Sequence, residues 1–106
     1  MLIYVDIDGT ICSITGTTGY NSAKPIRENI EKINKLYDDG NTIVYWTARG
    51  AKSGIDWTFQ TQAQLENWGA KHHELIMNTK PHYDLLICDK TLRIEDVEPD
   101  KFREID

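Results

Sequence analysis

Apolar residues gather in short runs along the chain, divided by polar, turn-forming stretches. The first run, Leu-Ile-Tyr-Val at positions 2–5, empties directly into Asp6, Ile7, Asp8, Gly9 and Thr10. A bounded apolar run of that length predicts a buried strand. Residues 11–23 are rich in Thr, Gly, Ser and Asn and have no helical period, which predicts a loop or small hairpin. Ile26, Ile30, Ile33, Leu36 and Tyr37 then recur at helical spacing, with Pro25 suited to a first helical position and Gly40 to a stop. Arg27, Glu28, Glu31, Lys32 and Lys35 fall on the other face of that helix and read as solvated. Residues 41–46 are β-branched and aromatic, a second buried strand that ends in Thr47. After a loop at 51–55, Asp56 reads as the N-cap of a helix that runs to about Trp68 and is closed by Gly69. Trp57, Thr61, Leu65 and Trp68 share one of its faces. Residues 74–77 and 85–87 predict two more strands, the latter leading into Asp89, and 92–94 predict one further short strand.

Alternating strands and helices predict an α/β fold, a three-layer α/β/α sandwich around a mainly parallel, Rossmann-like sheet. Right-handed crossovers bring the carboxyl ends of strands one, two and four together, and open α/β sheets keep their chemistry at that edge. The 106 residues read as a single domain, 1–106, with no room for a cap domain. A formal net charge of -5, with no basic run among aromatics, argues against nucleic-acid binding. The apolar start is too short for a membrane span or signal peptide, and Asp6 interrupts it. A cytoplasmic location is expected on that ground, and Cys12 and Cys88 suggest neither a disulfide framework nor a zinc site.

Asp6 and Asp8 carry the candidate chemistry. Two carboxylates held close repel and call for a hard cation, most simply Mg²⁺, which leaves room for a substrate phosphate. An Asp-x-Asp-Gly string after a strand is also what an ordinary turn looks like. Thr47 stands at a strand terminus, where a hydroxyl beside freed backbone N–H groups can donate to phosphate oxygens. Arg49 offers a bidentate phosphate contact, although an exposed surface arginine would read the same. A lysine at Lys80, aimed into such a site, would neutralise charge there. His72 and His73 lack partners at ligand spacing and receive no metal role.

The string from Asp6 to Thr10 resembles the first motif of the haloacid dehalogenase (HAD) superfamily of phosphohydrolases. The strand followed by Thr47 resembles its second motif, and the run from Lys80 to Asp89 its third and fourth, close to small bacterial phosphatases associated with capsular polysaccharide synthesis. The resemblance implies that strand one lies between strands four and two. By the same resemblance Asp6 is the nucleophile, Asp8 the general acid and base, Thr47 the phosphoryl-binding hydroxyl and Lys80 the charge that steadies the phosphoryl group. Mg²⁺ is held by Asp6, Asp8 and Asp89. Gly9, Thr10, Ala48, Arg49 and Tyr20 are the implied substrate contacts, and residues 11–23 form a flap over the site in which Thr15, Thr17, Thr18 and Asn21 are further candidates. Such strands commonly end in two acids, whereas this one ends in Cys88 and Asp89, which implies a weaker or shifted metal preference.

The function implied is an Mg²⁺-dependent phosphomonoesterase that works through an aspartyl-phosphate on a small sugar or polyol phosphate in surface polysaccharide metabolism. The alternatives are a nucleotide or macromolecular phosphatase, and a phosphate-binding module that has lost turnover. The expected partner is a small phosphorylated metabolite, with no nucleic acid and no membrane. A homo-oligomer is expected to close a capless site.

Overall fold

The structure is a computed structural model that describes residues 1–15, 19–50, 54–77, 85–87 and 94–99. Among these residues four strands, β1 (Leu2–Asp6), β2 (Thr42–Thr47), β3 (Glu74–Met77) and β4 (Leu85–Ile87), form one sheet in the order β3-β2-β1-β4. Every pairing is parallel, with Asp6 opposite Trp46, Thr47 opposite Met77 and Ile3 opposite Leu85. β1 therefore lies between β4 and β2, and its carboxyl end opens between two neighbours.

Among the described residues two helices connect the strands, α1 (Arg27–Asp38) and α2 (Thr58–Asn67). The chain steps from β1 to β2 to β3 in one direction across the sheet, and right-handed crossovers then put successive helices on the same face. Ile30, Ile33 and Leu36 of α1 and Leu65 of α2 accordingly share one core with Ile3, Val5, Ile43, Tyr45 and Ile87. Each of those side chains contributes roughly 1.5–3 kcal/mol on burial. The second helical layer of the expected sandwich is not among the described residues. Tyr4 and Val44, which alternate onto the opposite face, are nevertheless only 8% and 2% exposed. Burial on both faces is why β1 and β2 read as continuous apolar runs rather than alternating ones.

The structure corrects several boundaries. Pro25 does not open α1: it forms an antiparallel bridge with Cys12, and the helix begins two residues later at Arg27. The Ile26 N–H donates to the Ile11 carbonyl and the Ser13 N–H to the Lys24 carbonyl, so the expected flap stands on a paired base. Ile11 and Cys12 are fully buried and belong to the core rather than to the flap. Arg27 and Lys32, expected to be solvated, bind carbonyls: Arg27 Nη1 donates to Trp68 O and Lys32 Nζ to Ile94 O. Asp56 lies one residue before the N-cap of α2, Trp57, and its carboxylate accepts the Thr58 N–H. Of the strand expected at 92–94 only Ile94 is among the described residues, and it begins a 3-10 turn, Ile94–Asp96. Among the described residues no helix is long and apolar enough to cross a membrane.

Candidate functional site

β1 delivers Asp6 to the carboxyl edge of the sheet, half-buried, with its Oδ1 accepting the Ile7 N–H at 2.9 Å. The chain then turns sharply. The Ile7 carbonyl accepts the N–H groups of both Thr10 and Ile11, and Gly9 sits at φ 83°, a left-handed conformation that glycine adopts without Cβ strain. The turn sets the Asp8 side chain against Arg49, which arrives from the end of β2.

That pairing is the main electrostatic feature of the site. Arg49 Nε donates to Asp8 Oδ2 at 2.9 Å and Nη2 to Asp8 Oδ1 at 2.8 Å, a two-bonded fork. The Arg49 side chain is fully buried, whereas that of Asp8 is 24% exposed. Nη1 donates to Gln64 Oε1 at 2.6 Å, to Thr61 Oγ1 at 3.1 Å and to Gln60 Oε1 at 3.3 Å. The Tyr20 ring lies 4.6 Å from the guanidinium carbon, a cation–π contact. Gln64 Nε2 donates to the Tyr20 carbonyl, and the Tyr20 ring meets Trp57 edge-on at 5.0 Å. One buried cation thus joins the end of β1, the flap and α2.

Cys12 lies against the same carboxylate. Its Sγ is 3.5 Å from Asp8 Oδ1. Burial first, and the negative charge of Asp8 second, push its thiol up to about 12. It is a structural thiol rather than a nucleophile.

Thr47 is 1% exposed, and its Oγ1 accepts the Arg49 N–H at 3.1 Å, an arrangement that leaves the hydroxyl proton to donate elsewhere. Ala48 is exposed at the rim. Thr10 is fully buried, its carbonyl held by Asn29 Nδ2 and its Oγ1 without a partner among the described residues. Of the expected substrate contacts, Thr10 and Arg49 therefore face inward in this conformation. Tyr20 faces a cleft of about 260 Å³ that it lines with Asp8, Ile14 and Thr15. Lys80 and Asp89, like Thr17, Thr18 and Cys88, lie outside the described residues.

The Asp6 carboxylate is a hard oxygen donor of the kind Mg²⁺ takes. Both Asp8 oxygens accept from Arg49 in this arrangement. Among the described residues no group of three or more His, Cys, Asp and Glu could hold a metal. His72 and His73 make structural contacts: His73 Nδ1 accepts the Ile43 N–H while its ring stacks on Tyr37, and His72 pairs with the Ala70 carbonyl.

Sequence reasoning missed Cys12, Gln60 and Gln64. The available signal was on α2, where Thr61 on the buried face is flanked by Gln60 and followed at helical spacing by Gln64, a polar patch that needs a buried partner.

No family model matches the chain, and no curated protein matches it. Among solved structures it is similar to a crystal structure of an MCSG target from Vibrio cholerae, at 23% identity and a TM-score of 0.64, covering 76% of this chain and 71% of that one. At that identity the likeness carries the α/β fold and nothing finer.

Proposed function

We propose that the protein is a HAD-like, Mg²⁺-dependent phosphomonoesterase acting on a small phosphorylated metabolite, with a sugar or polyol phosphate of surface polysaccharide metabolism as the first choice. The observation that carries this reading is that Asp6 at the end of β1, Asp8 just beyond it and Thr47 at the end of β2 lie along one carboxyl edge of two paired parallel strands. The burial of Tyr4 and Val44 supports a third layer, and with it the full sandwich. A cytoplasmic location and closure of the site by a second copy belong to the same reading.

In this reading Asp6 attacks phosphorus in line, forming an O–P bond as the ester oxygen leaves, and Asp8, which takes up a proton from solvent on leaving Arg49, hands that proton to the leaving oxygen. Asp8 then takes a proton from water, which attacks the aspartyl-phosphate and returns Asp6 as a carboxylate. Thr47, through its free hydroxyl proton, and Lys80 bind the equatorial oxygens. Mg²⁺ would be held by Asp6 and Asp89, and by Asp8 once it has left Arg49, and supplies charge neutralisation between the acids and the phosphoryl group.

A second reading, a phosphate-binding module without turnover, is favoured by the Asp8–Arg49 pair, which withholds both oxygens of the acid. Phosphate release from a panel of sugar, polyol and nucleotide phosphates separates the two. The enzyme reading expects turnover that EDTA abolishes, Mg²⁺ restores and Asp6→Asn eliminates with the melting temperature kept. Activity near wild type in Asp6→Asn, or full activity after exhaustive chelation, refutes it.

A further inference from the structure

Arg49 carries a full charge with no exposed side-chain surface, and Asp8 is the carboxylate that answers it. A guanidinium fork fits a carboxylate and a phosphate equally well, because both offer two oxygens at the spacing of its parallel N–H groups. Asp8 stands between that fork and solvent: its own side chain is 24% exposed and forms part of the wall of the 260 Å³ cleft. Removing the Asp8 carboxylate from the fork would open Arg49 onto that cleft, which lies just below the roughly 300 Å³ at which drug-sized ligand pockets begin and suits a small anionic headgroup.

A second feature lies beside the same guanidinium, at its Nη1 end. Gln60 gives its Oε1 to Arg49 Nη1, while its Nε2 is buried with no hydrogen-bond partner among the described residues. An unused buried donor costs stability unless something accepts from it. Each Asp8 oxygen accepts from Arg49, and Oδ1 also lies 3.5 Å from Cys12 Sγ. A phosphate brings an oxygen more to the guanidinium than a carboxylate does. Tyr20 would sense the exchange, since its ring lies over the guanidinium and its carbonyl is tied to Gln64.

We propose that the Arg49 fork is an anion site whose resident anion is Asp8, and that an incoming phosphate group takes the place of the Asp8 carboxylate on Arg49. The purpose of the exchange rests on the phosphatase reading: it withholds the acid until substrate arrives, then frees it beside the leaving group. The site itself stands on the geometry of Arg49, Asp8, Gln60 and the cleft.

Inorganic phosphate in excess EDTA tests the exchange without metal or turnover. Calorimetric titration of wild type, Asp8→Asn, and Asp8→Asn combined with Arg49→Lys is expected to show tighter binding in Asp8→Asn than in wild type by on the order of tenfold or more, since the competing carboxylate is gone. The double variant, which keeps the positive charge but not the fork, is expected to lose that gain. Equal affinity in wild type and Asp8→Asn, or a gain that survives Arg49→Lys, overturns the proposal. Should Asp8→Asn fail to fold, the wild-type Arg49 Nε–H resonance, followed by nitrogen NMR during the same titration, decides: it is expected to move with phosphate, and a resonance unmoved at saturation overturns the proposal. Exchange without turnover of any phosphate ester would remove the phosphatase reading alone, and turnover without exchange would remove this proposal alone.

Discussion

Gly50 offers a direct test of how the loop ahead of α2 is held against the site. It follows Arg49, sits at φ 84°, and a Cβ added there would lie 2.2 Å from the Ile55 carbonyl oxygen and 3.2 Å from a ring carbon of Trp57. Two separate costs follow for Gly50→Ala. The left-handed backbone costs an L-residue about 1–2 kcal/mol, and forcing Ile55 and Trp57 outward costs roughly a further 1–3 kcal/mol. Gly69 supplies the control, because it has φ 67° with nothing within 4 Å of the added Cβ, so Gly69→Ala carries the backbone cost alone. For a domain of this size about 1 kcal/mol moves the melting temperature by roughly 4 °C or more. Urea and thermal denaturation of both variants should therefore place Gly50→Ala below Gly69→Ala by about 1–3 kcal/mol. Equal stabilities would refute the close approach of the 54–57 segment to Gly50, and with it the seating of Trp57 on Tyr20.

Two further outcomes follow from the titrating groups. Cys12, buried and pushed up to about 12, should resist Ellman's reagent at about pH 8 in a Cys88→Ser background and react only on unfolding; immediate reaction in the native protein would contradict its burial against Asp8. Hydrogen bonds from Thr58, side chain first and backbone second, hold Asp56 below its ordinary value of 3.8. Its contribution is therefore present above that value and lost as pH falls through the lowered one, so Asp56→Ala should destabilise at pH 7 and match wild type in strongly acid denaturation series. A penalty that persists at low pH would assign the effect to packing.

The strands were legible because a central parallel strand, buried on both faces, leaves an uninterrupted apolar run, as in Ile3 to Val5 and Ile43 to Tyr45, whereas their order came from the family resemblance. Thr61, Leu65 and Trp68, expected on one face of a helix, are all buried. Boundaries were less legible where long-range pairing won over local preference. Pro25 has the local character of a helix start, yet its place is fixed by Cys12 across the base of the flap. Asp6, Asp8 and Thr47 could be placed at one edge of the sheet because each follows an apolar run. The fate of Arg49 could not be read, since a buried arginine and a solvated one are the same letter, and what separates them is Gln60, Thr61 and Gln64 on a different element. The resemblance supplied roles for residues; it did not supply the pairing of Asp8 with Arg49.

The strand order also sets when the site can exist. β1, β2 and β3 are laid down in sequence and pair with their immediate successors, while the other edge of β1 is filled only when Leu85–Ile87 returns to it, closing a loop that spans most of the chain. Closure entropy rises with loop length, so this contact is the slowest of the sheet to be reached from an open chain. Until it is made, β1 is an edge strand with exposed backbone groups, open to pairing with another chain. During synthesis Asp6 and Asp8 emerge well before Leu85–Ile87, yet they stand at an unguarded margin until that strand arrives. A nascent chain stalled before residue 85 would present the acids on an aggregation-prone edge, which makes completion of the sheet a quality check built into the order of its strands.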